Sequence, residues 1–295
     1  LGATPVLCDV DEETFSATVE TIEAVVTPAT RAIIAMPYAG RPMNVAQICA
    51  FARERGIVVI EDAAHAAGML DRGEWAGAHS HAAVYSFYAT KNLTTGEGGM
   101  LVTNDADLAD RVRRLSLHGM SRDAWKRYSD RGSWRYDILE PGYKYNITDV
   151  ASSVGLVQLA RLPEMQLRRN AIAARYLREL GGLPKLSFQR PPDHTDDRHS
   201  WCMFVAAVDP TGGIDRDSFI EALRLRNVGT SVHYIPTHQF TAYRSLAGAP
   251  LTNTDALASR IVSLPLYPTM DDADVDDVVT AVRDVCEESL RLVPS

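Results

Sequence analysis

The sequence predicts an α/β protein: a mostly parallel central sheet flanked by helices, followed by a smaller C-terminal α+β unit. Three observations lead there. In the first half, short apolar runs at 31–36, 57–60, 82–87 and 100–102 alternate with stretches of helical period. That alternation is the pattern of strands joined by crossover helices, which builds a parallel sheet. The last third carries a second set of strands and helices. Between the two sets, residues 119–142 are rich in Trp, Tyr, Arg and Asp without clear period. They read as a long, partly ordered excursion of the kind that often serves function.

The elements follow in order. Leu1-Gly2-Ala3-Thr4-Pro5 runs straight into Val6-Leu7-Cys8, read as a strand, and an opening in mid-sheet suggests that sequence precedes it. Residues 31–36 (RAIIAM) read as a buried strand. Over 44–55, Val45, Ile48, Cys49 and Ala52 recur at helical spacing, and Gly56 is a good stop. The run 57–60 ends in Glu61-Asp62, and the strand 82–87 leads into a polar loop through Gly99. Residues 105–117 read as a helix with an acidic first turn. Residues 148–162 and 163–180 read as two helices, the second with Pro163 near its start and Gly181-Gly182 at its end. Strands are expected over 201–208 and 229–234. Helices are expected from an Asp215 cap through Asn227, over 253–263 and over 271–290. The last carries Val275, Val278, Val279, Val282 and Val285 as a packing stripe. The expected division is a large unit, 1–162, and a small C-terminal unit, 163–295.

Composition excludes several function classes. Of 295 residues, 46% are apolar and 23% charged, as in an ordinary soluble globular protein. A formal charge of −8 offers no basic footprint for nucleic acid. Arg111, Arg113 and Arg114 alternate with apolar residues, as on a solvated helix face. Cys8, Cys49, Cys202 and Cys286 form no CxxC pair, which points to free thiols in the cytoplasm, with Cys8 and Cys49 in the core. No apolar run reaches membrane-spanning length, and no signal peptide is visible. His79-Ser80-His81 together with His65 invites a metal site, but no cysteine or carboxylate pattern completes it. His118 and His199 read as surface or packing histidines. Trp125, Tyr128, Trp134 and Tyr136 suit a sugar pocket and loop packing equally.

Two residues carry the chemistry. Asp62 stands at the carboxyl end of a predicted parallel strand, where open α/β sheets bind ligands. Lys91 follows the next strand, in Ser86-Phe87-Tyr88-Ala89-Thr90-Lys91-Asn92. Singly, each has an ordinary explanation, a loop-capping carboxylate and a solvated lysine. Together they sit beyond neighbouring strands and can converge on one ligand. The loop after Lys91 contains Gly96-Glu97-Gly98-Gly99, which lets backbone approach a bound group. An imine-forming lysine and a carboxylate that keeps a pyridine ring protonated are the minimum equipment for pyridoxal phosphate.

Glu61-Asp62-Ala63-Ala64-His65-Ala66, Ser86–Asn92, Gly96–Gly99 and Gly142-Tyr143-Lys144-Tyr145-Asn146-Ile147-Thr148-Asp149 resemble the DegT-type nucleotide-sugar aminotransferases. The resemblance runs from Gly2-Ala3-Thr4-Pro5-Val6 to Ser263-Leu264-Pro265-Leu266-Tyr267-Pro268. It implies the fold type I aminotransferase architecture, with 1–162 as the cofactor-binding unit, pyridoxal 5'-phosphate as cofactor and a cytoplasmic homodimer with shared sites. L-glutamate would be the amino donor and a keto-sugar nucleotide the acceptor. The stretch 141–149 is most similar to members that act at carbon 4 of a UDP-linked sugar. By resemblance, Lys91 forms the Schiff base and moves the proton, and Asp62 binds the pyridinium. His65 lies beside the ring and Ser86 on the phosphate. Asn146 reaches the phosphate of a second subunit, and His233 and His238 approach the sugar. The family's N-terminal phosphate-gripping turn and ring-stacking aromatic find no counterpart in these residues. Three alternatives stay open. A nicotinamide oxidoreductase should show GxGxxG, and none is found. A sugar dehydratase on the same scaffold would carry histidine in place of Lys91. A truncated or regulatory homologue would keep the fold without turnover.

Overall fold

Residues 2–121, 136–246 and 248–291 are described by a computed structural model. Four strands form the first sheet: β1 (Ala32–Ala35), β2 (Val58–Asp62), β3 (Ala82–Ser86) and β4 (Gly99–Val102), in that spatial order. β1, β2 and β3 run parallel and β4 returns antiparallel, so the sheet is mixed with a parallel majority. The helices α1 (Val19–Glu23) and α2 (Val45–Arg53) cover one face. There Ile22, Ile33, Ala35, Val45, Ile48, Ala52 and Val59 close into one core. A strand alternates its side chains, so the residues between them point the other way. Ile34, Val58 and Val84 are exposed on that opposite face, Ile34 by 72%. The strand over 31–36, expected to be buried, is therefore buried on one face only. Asp62 pairs in register with Val84, and Ser86 follows two residues on, so both lie on this open face.

The helix α3 (Ala106–Ser116) starts at Asp105, whose carboxylate accepts from Asp107 N and Leu108 N. The two helices expected over 148–180 are one, α4 (Asp149–Leu180), with Pro163 inside it. Proline removes one helical hydrogen bond, but residues around Leu159 and Pro163 are exposed, so water can satisfy the freed carbonyl. The strand expected at Val6–Cys8 pairs with no strand among the described residues, and its Val6 is exposed.

A second sheet of β5 (Leu186–Phe188), β6 (Phe204–Val208) and β7 (Ile261–Leu264) is antiparallel throughout. The C-terminal half of α4 packs with α5 (Arg216–Leu225) and α7 (Asp272–Arg291) on Phe204, Ala206 and Val208. The valine stripe at 275, 278, 279, 282 and 285 is fully buried there. The other face, with Val205 and Ala207, meets Phe15, Ala39 and Leu257, tying the second sheet to the first part of the chain. The helix expected over 253–263 stops early as α6 (Thr252–Ala258). The following Ile-Val-Ser-Leu is β7 instead, a short apolar run whose period alone cannot separate helix from strand. The strand expected over 229–234 reduces to one bridge, Ser231 with Ser263. No described helix is long and apolar enough to cross a membrane.

Phe219 on α5 is completely buried in the second core. Phe219→Ala is expected to cost about 3–5 kcal/mol of stability, read as a lower urea midpoint.

Candidate active site

The site assembles where the ends of β2 and β3 meet chain segments from far along the sequence. Asp62 ends β2, and its Oδ1 accepts from Ala64 N at 3.1 Å, which turns the chain back toward His65. Lys91 stands five residues beyond β3, in a turn closed by its own N–H to the Tyr88 carbonyl at 3.0 Å. Asn92 and Leu93, both buried, pin that turn. Asn92 Nδ2 donates to the carbonyls of Ser200 at 2.7 Å and Ala67 at 3.2 Å. The result leaves Lys91 partly buried, between an exposed run and a fixed one.

Residues 200–202 form the back of the site. Ser200 N and Cys202 N donate to the carbonyls of Gly40 and Ala39, and Ser200 Oγ donates to the His65 carbonyl at 2.5 Å. Gly40 has φ of +90°, and a Cβ there would lie 1.7 Å from Ser200 Oγ and 2.7 Å from the His65 carbonyl oxygen. Only glycine admits that approach. It brings Tyr38, His65 and Ser200 together.

His65 is the most constrained group. It is 2% exposed. Its Nε2 lies 3.3 Å from the Tyr234 hydroxyl, and its buried Nδ1 has no partner among the described residues. Burial, reinforced by Lys91 and His233 nearby, lowers its pKa to about 3, so the ring is neutral at physiological pH. Burial and then Lys91 also lower His233. His233 Nδ1 lies 2.8 Å from Ser263 Oγ, and its carbonyl accepts from the Tyr38 hydroxyl. Burial raises Tyr234, with Cys202 and Asp62 adding to it. Burial likewise raises Cys202, which Lys91 partly offsets. Asp62, His65, Lys91, Cys202, His233 and Tyr234 thus share one electrostatic neighbourhood. A cavity of about 370 Å³ adjoins it, lined by Tyr38, His233, Tyr234, Ile235, His238 and Leu257 among others.

The other expected site residues lie differently. Ser86 closes β3 on the Asp62 face, its Oγ accepting from Tyr88 N at 3.3 Å. His238 lines the cavity, with Nε2 2.8 Å from Asp255 Oδ1. Asn146 is exposed on the segment before α4, where it accepts from Lys144 Nζ and donates to the Ile147 carbonyl. His199 packs against Trp201 with ring centroids 3.8 Å apart, and His118 is exposed. His81 Nδ1 accepts from Val59 N, outside any strand. Among the described residues no group of three or more His, Cys, Asp or Glu is placed to hold a metal. Trp125, Tyr128 and Trp134 lie outside the described residues, and Tyr136 is exposed. Sequence reasoning passed over Tyr38, Ser200, Cys202 and Tyr234. Of these, only Tyr234 carried a signal, its place next to His233.

The model of the DegT/DnrJ/EryC1/StrS aminotransferase family matches residues 1–283. The chain belongs to that family. The spore coat polysaccharide biosynthesis protein SpsC of Bacillus subtilis is 46% identical over 289 residues, which is 96% of this chain and 74% of that protein. Among solved structures, the aminotransferase TlmJ of Streptoalloteichus hindustanus superimposes with a TM-score of 0.88 at 34% identity, over 98% of this chain and 75% of its own. DesV of S. venezuelae, solved in complex with a ketimine intermediate, gives 0.86 at 32% identity, over 97% and 73%. As a DegT/DnrJ/EryC1/StrS protein, the chain is a pyridoxal-phosphate-dependent aminotransferase of the α/β fold seen in those neighbours. Its residues fit that cofactor. The Lys91 amine, the Asp62 carboxylate and the unpartnered, buried Nδ1 of His65 offer an imine-forming group, a partner for a pyridinium and a polar atom that still lacks a bond.

Proposed function

We propose that this aminotransferase carries the amino group of L-glutamate to a keto-sugar nucleotide, at carbon 4 of a UDP-linked sugar. The observation that supports the reading is that Lys91 lies near His65 and His233 while Asp62 lies near Tyr234, whose hydroxyl is 3.3 Å from His65 Nε2. The sugar is supported by SpsC, whose name places it in polysaccharide biosynthesis. Carbon 4 and the UDP moiety are supported by the resemblance of 141–149.

Bound pyridoxal phosphate would supply an amine carrier and an electron sink between glutamate, released as 2-oxoglutarate, and the ketone carbon of the sugar. Lys91 Nζ removes the proton from the amino-acid carbon and later returns one to the sugar carbon, a single base serving both halves. Asp62 holds the ring-nitrogen proton and keeps the ring an electron acceptor. The Ser86 hydroxyl, on the same open face, donates to phosphate. His233, near Lys91, and His238, both on the cavity wall, would approach the sugar. Asn146 serves the phosphate of a second copy of the chain. Such an assembly is supported by the apolar stripe on the exposed half of α4, with Val150, Val154, Leu156, Val157 and Leu159 all exposed.

The test supplies the enzyme with glutamate and a panel of 3-keto and 4-keto nucleotide sugars. Ping-pong kinetics and a 4-amino product by NMR are expected. Turnover of 3-keto substrates alone would overturn the carbon-4 assignment. Failure of glutamate to aminate the cofactor would overturn the donor.

A further inference from the structure

His65 is neutral, buried and short of one hydrogen bond, so the position of its single ring proton decides what it can offer a ligand. Its two nitrogens differ sharply in surroundings. Nε2 faces the Tyr234 hydroxyl at 3.3 Å, with the two rings inclined by only 11°. Nδ1 is buried and has no hydrogen-bond partner among the described residues. Tyr234 is itself held in place. The Tyr38 hydroxyl donates to the carbonyl of His233, the His233 ring meets Ser263 Oγ, and Ser231 pairs with Ser263 through both backbone bonds.

We infer that Tyr234 fixes the tautomer of His65: its hydroxyl donates to Nε2, which leaves the ring proton on Nδ1 and makes that buried atom a donor to an anionic oxygen of the bound cofactor. The direction follows from acid and base strength. A phenol is a stronger acid than a neutral imidazole N–H, and an imidazole nitrogen is a stronger base than a phenol oxygen. The pair therefore forms as O–H to N. Burial also keeps the proton on Tyr234, so the donor is present throughout the working pH range. The opposite tautomer would leave a buried, unpaired acceptor at Nδ1, which no cofactor oxygen could pair with. Tyr234 is then a positioning residue. It acts through His65, and Tyr38 acts through Tyr234.

The inference rests on the reading of the Lys91 site given above, but its test needs neither glutamate nor sugar, so the two fail separately. The full chain freed of cofactor is prepared with 15N-labelled histidine, so that no cofactor oxygen can hold the proton on Nδ1, and His65→Gln identifies the signal by its loss. In the unaltered protein, His65 is expected to show a protonated Nδ1 and a bare Nε2, unchanged between about pH 6 and about pH 8. In Tyr234→Phe, the proton coupling at Nδ1 is expected to be lost and to reappear at Nε2. A role confined to packing would not move it. A proton on Nε2 in the unaltered protein overturns the inference whatever the variant does. A Tyr234→Phe protein with an unchanged tautomer overturns it as well. Tyr38→Phe, which loosens the anchor and leaves the Tyr234 hydroxyl in place, is expected to give a mixture of the two tautomers; the pure Nδ1–H form there would remove Tyr38 from the relay.

Discussion

Replacing Lys91 by Ala is expected to abolish the visible absorbance of the cofactor-loaded enzyme and to lower kcat/KM by at least about 10³-fold. Two losses combine. The variant has no amine at the point where β3's following turn presents one, and no base to move the proton in either half of the reaction. The fold should be untouched, because the turn is pinned by Asn92 and Leu93 rather than by the lysine side chain. Circular dichroism and the urea midpoint check that point. The measurement that sinks the assignment is borohydride trapping. If Lys91→Ala still gives a reduced adduct on another lysine at full stoichiometry, Lys91 is not the imine-forming residue.

The part of the site that sequence could reach is the part encoded locally. Asp62 ends a short apolar run and Lys91 follows the next one, so strand order alone puts both at the same sheet edge. The register then sets Ser86 on the Asp62 face, which alternation along β3 already implied. The rest is tertiary. Tyr38 reaches a carbonyl 195 residues away, and Ser200 reaches one 135 residues away. No periodicity marks either. The glycine that permits them, Gly40, reads in sequence as an ordinary turn residue. Errors in the fold share one cause. Pro163 looks like a helix start because proline favours that position, and only an exposed helix surface allows it inside. The run 261–264 looks helical until β6 supplies a partner strand. The strand over 31–36 looks buried because apolar content says nothing of which face finds a cover.

Mixing two inactive variants, Lys91→Ala and Asn146→Ala, is expected to restore about a quarter of full activity under conditions of subunit exchange. The figure follows from counting. Random exchange makes half of the dimers hybrid, and each hybrid has one site with both residues intact and one with both altered. That outcome requires Asn146 to serve the site of the other copy. Its position supports such a role. Asn146 is exposed, its side chain bonds its neighbours Lys144 and Ile147 among the described residues, and it stands next to the stacked pair Tyr143 and Tyr145 and the exposed apolar half of α4. A side chain serving its own subunit's cofactor should instead be drawn into the neighbourhood of Lys91 and His65. Asn146→Ala alone is expected to weaken cofactor binding by about 10- to 100-fold, the range for losing one hydrogen bond to a charged group. Activity is therefore assayed at cofactor concentrations limiting for the variant. Exchange is demonstrated separately, with differently tagged copies recovered together. Exchange without recovery of activity would place Asn146 in its own subunit's site and remove the shared-site reading.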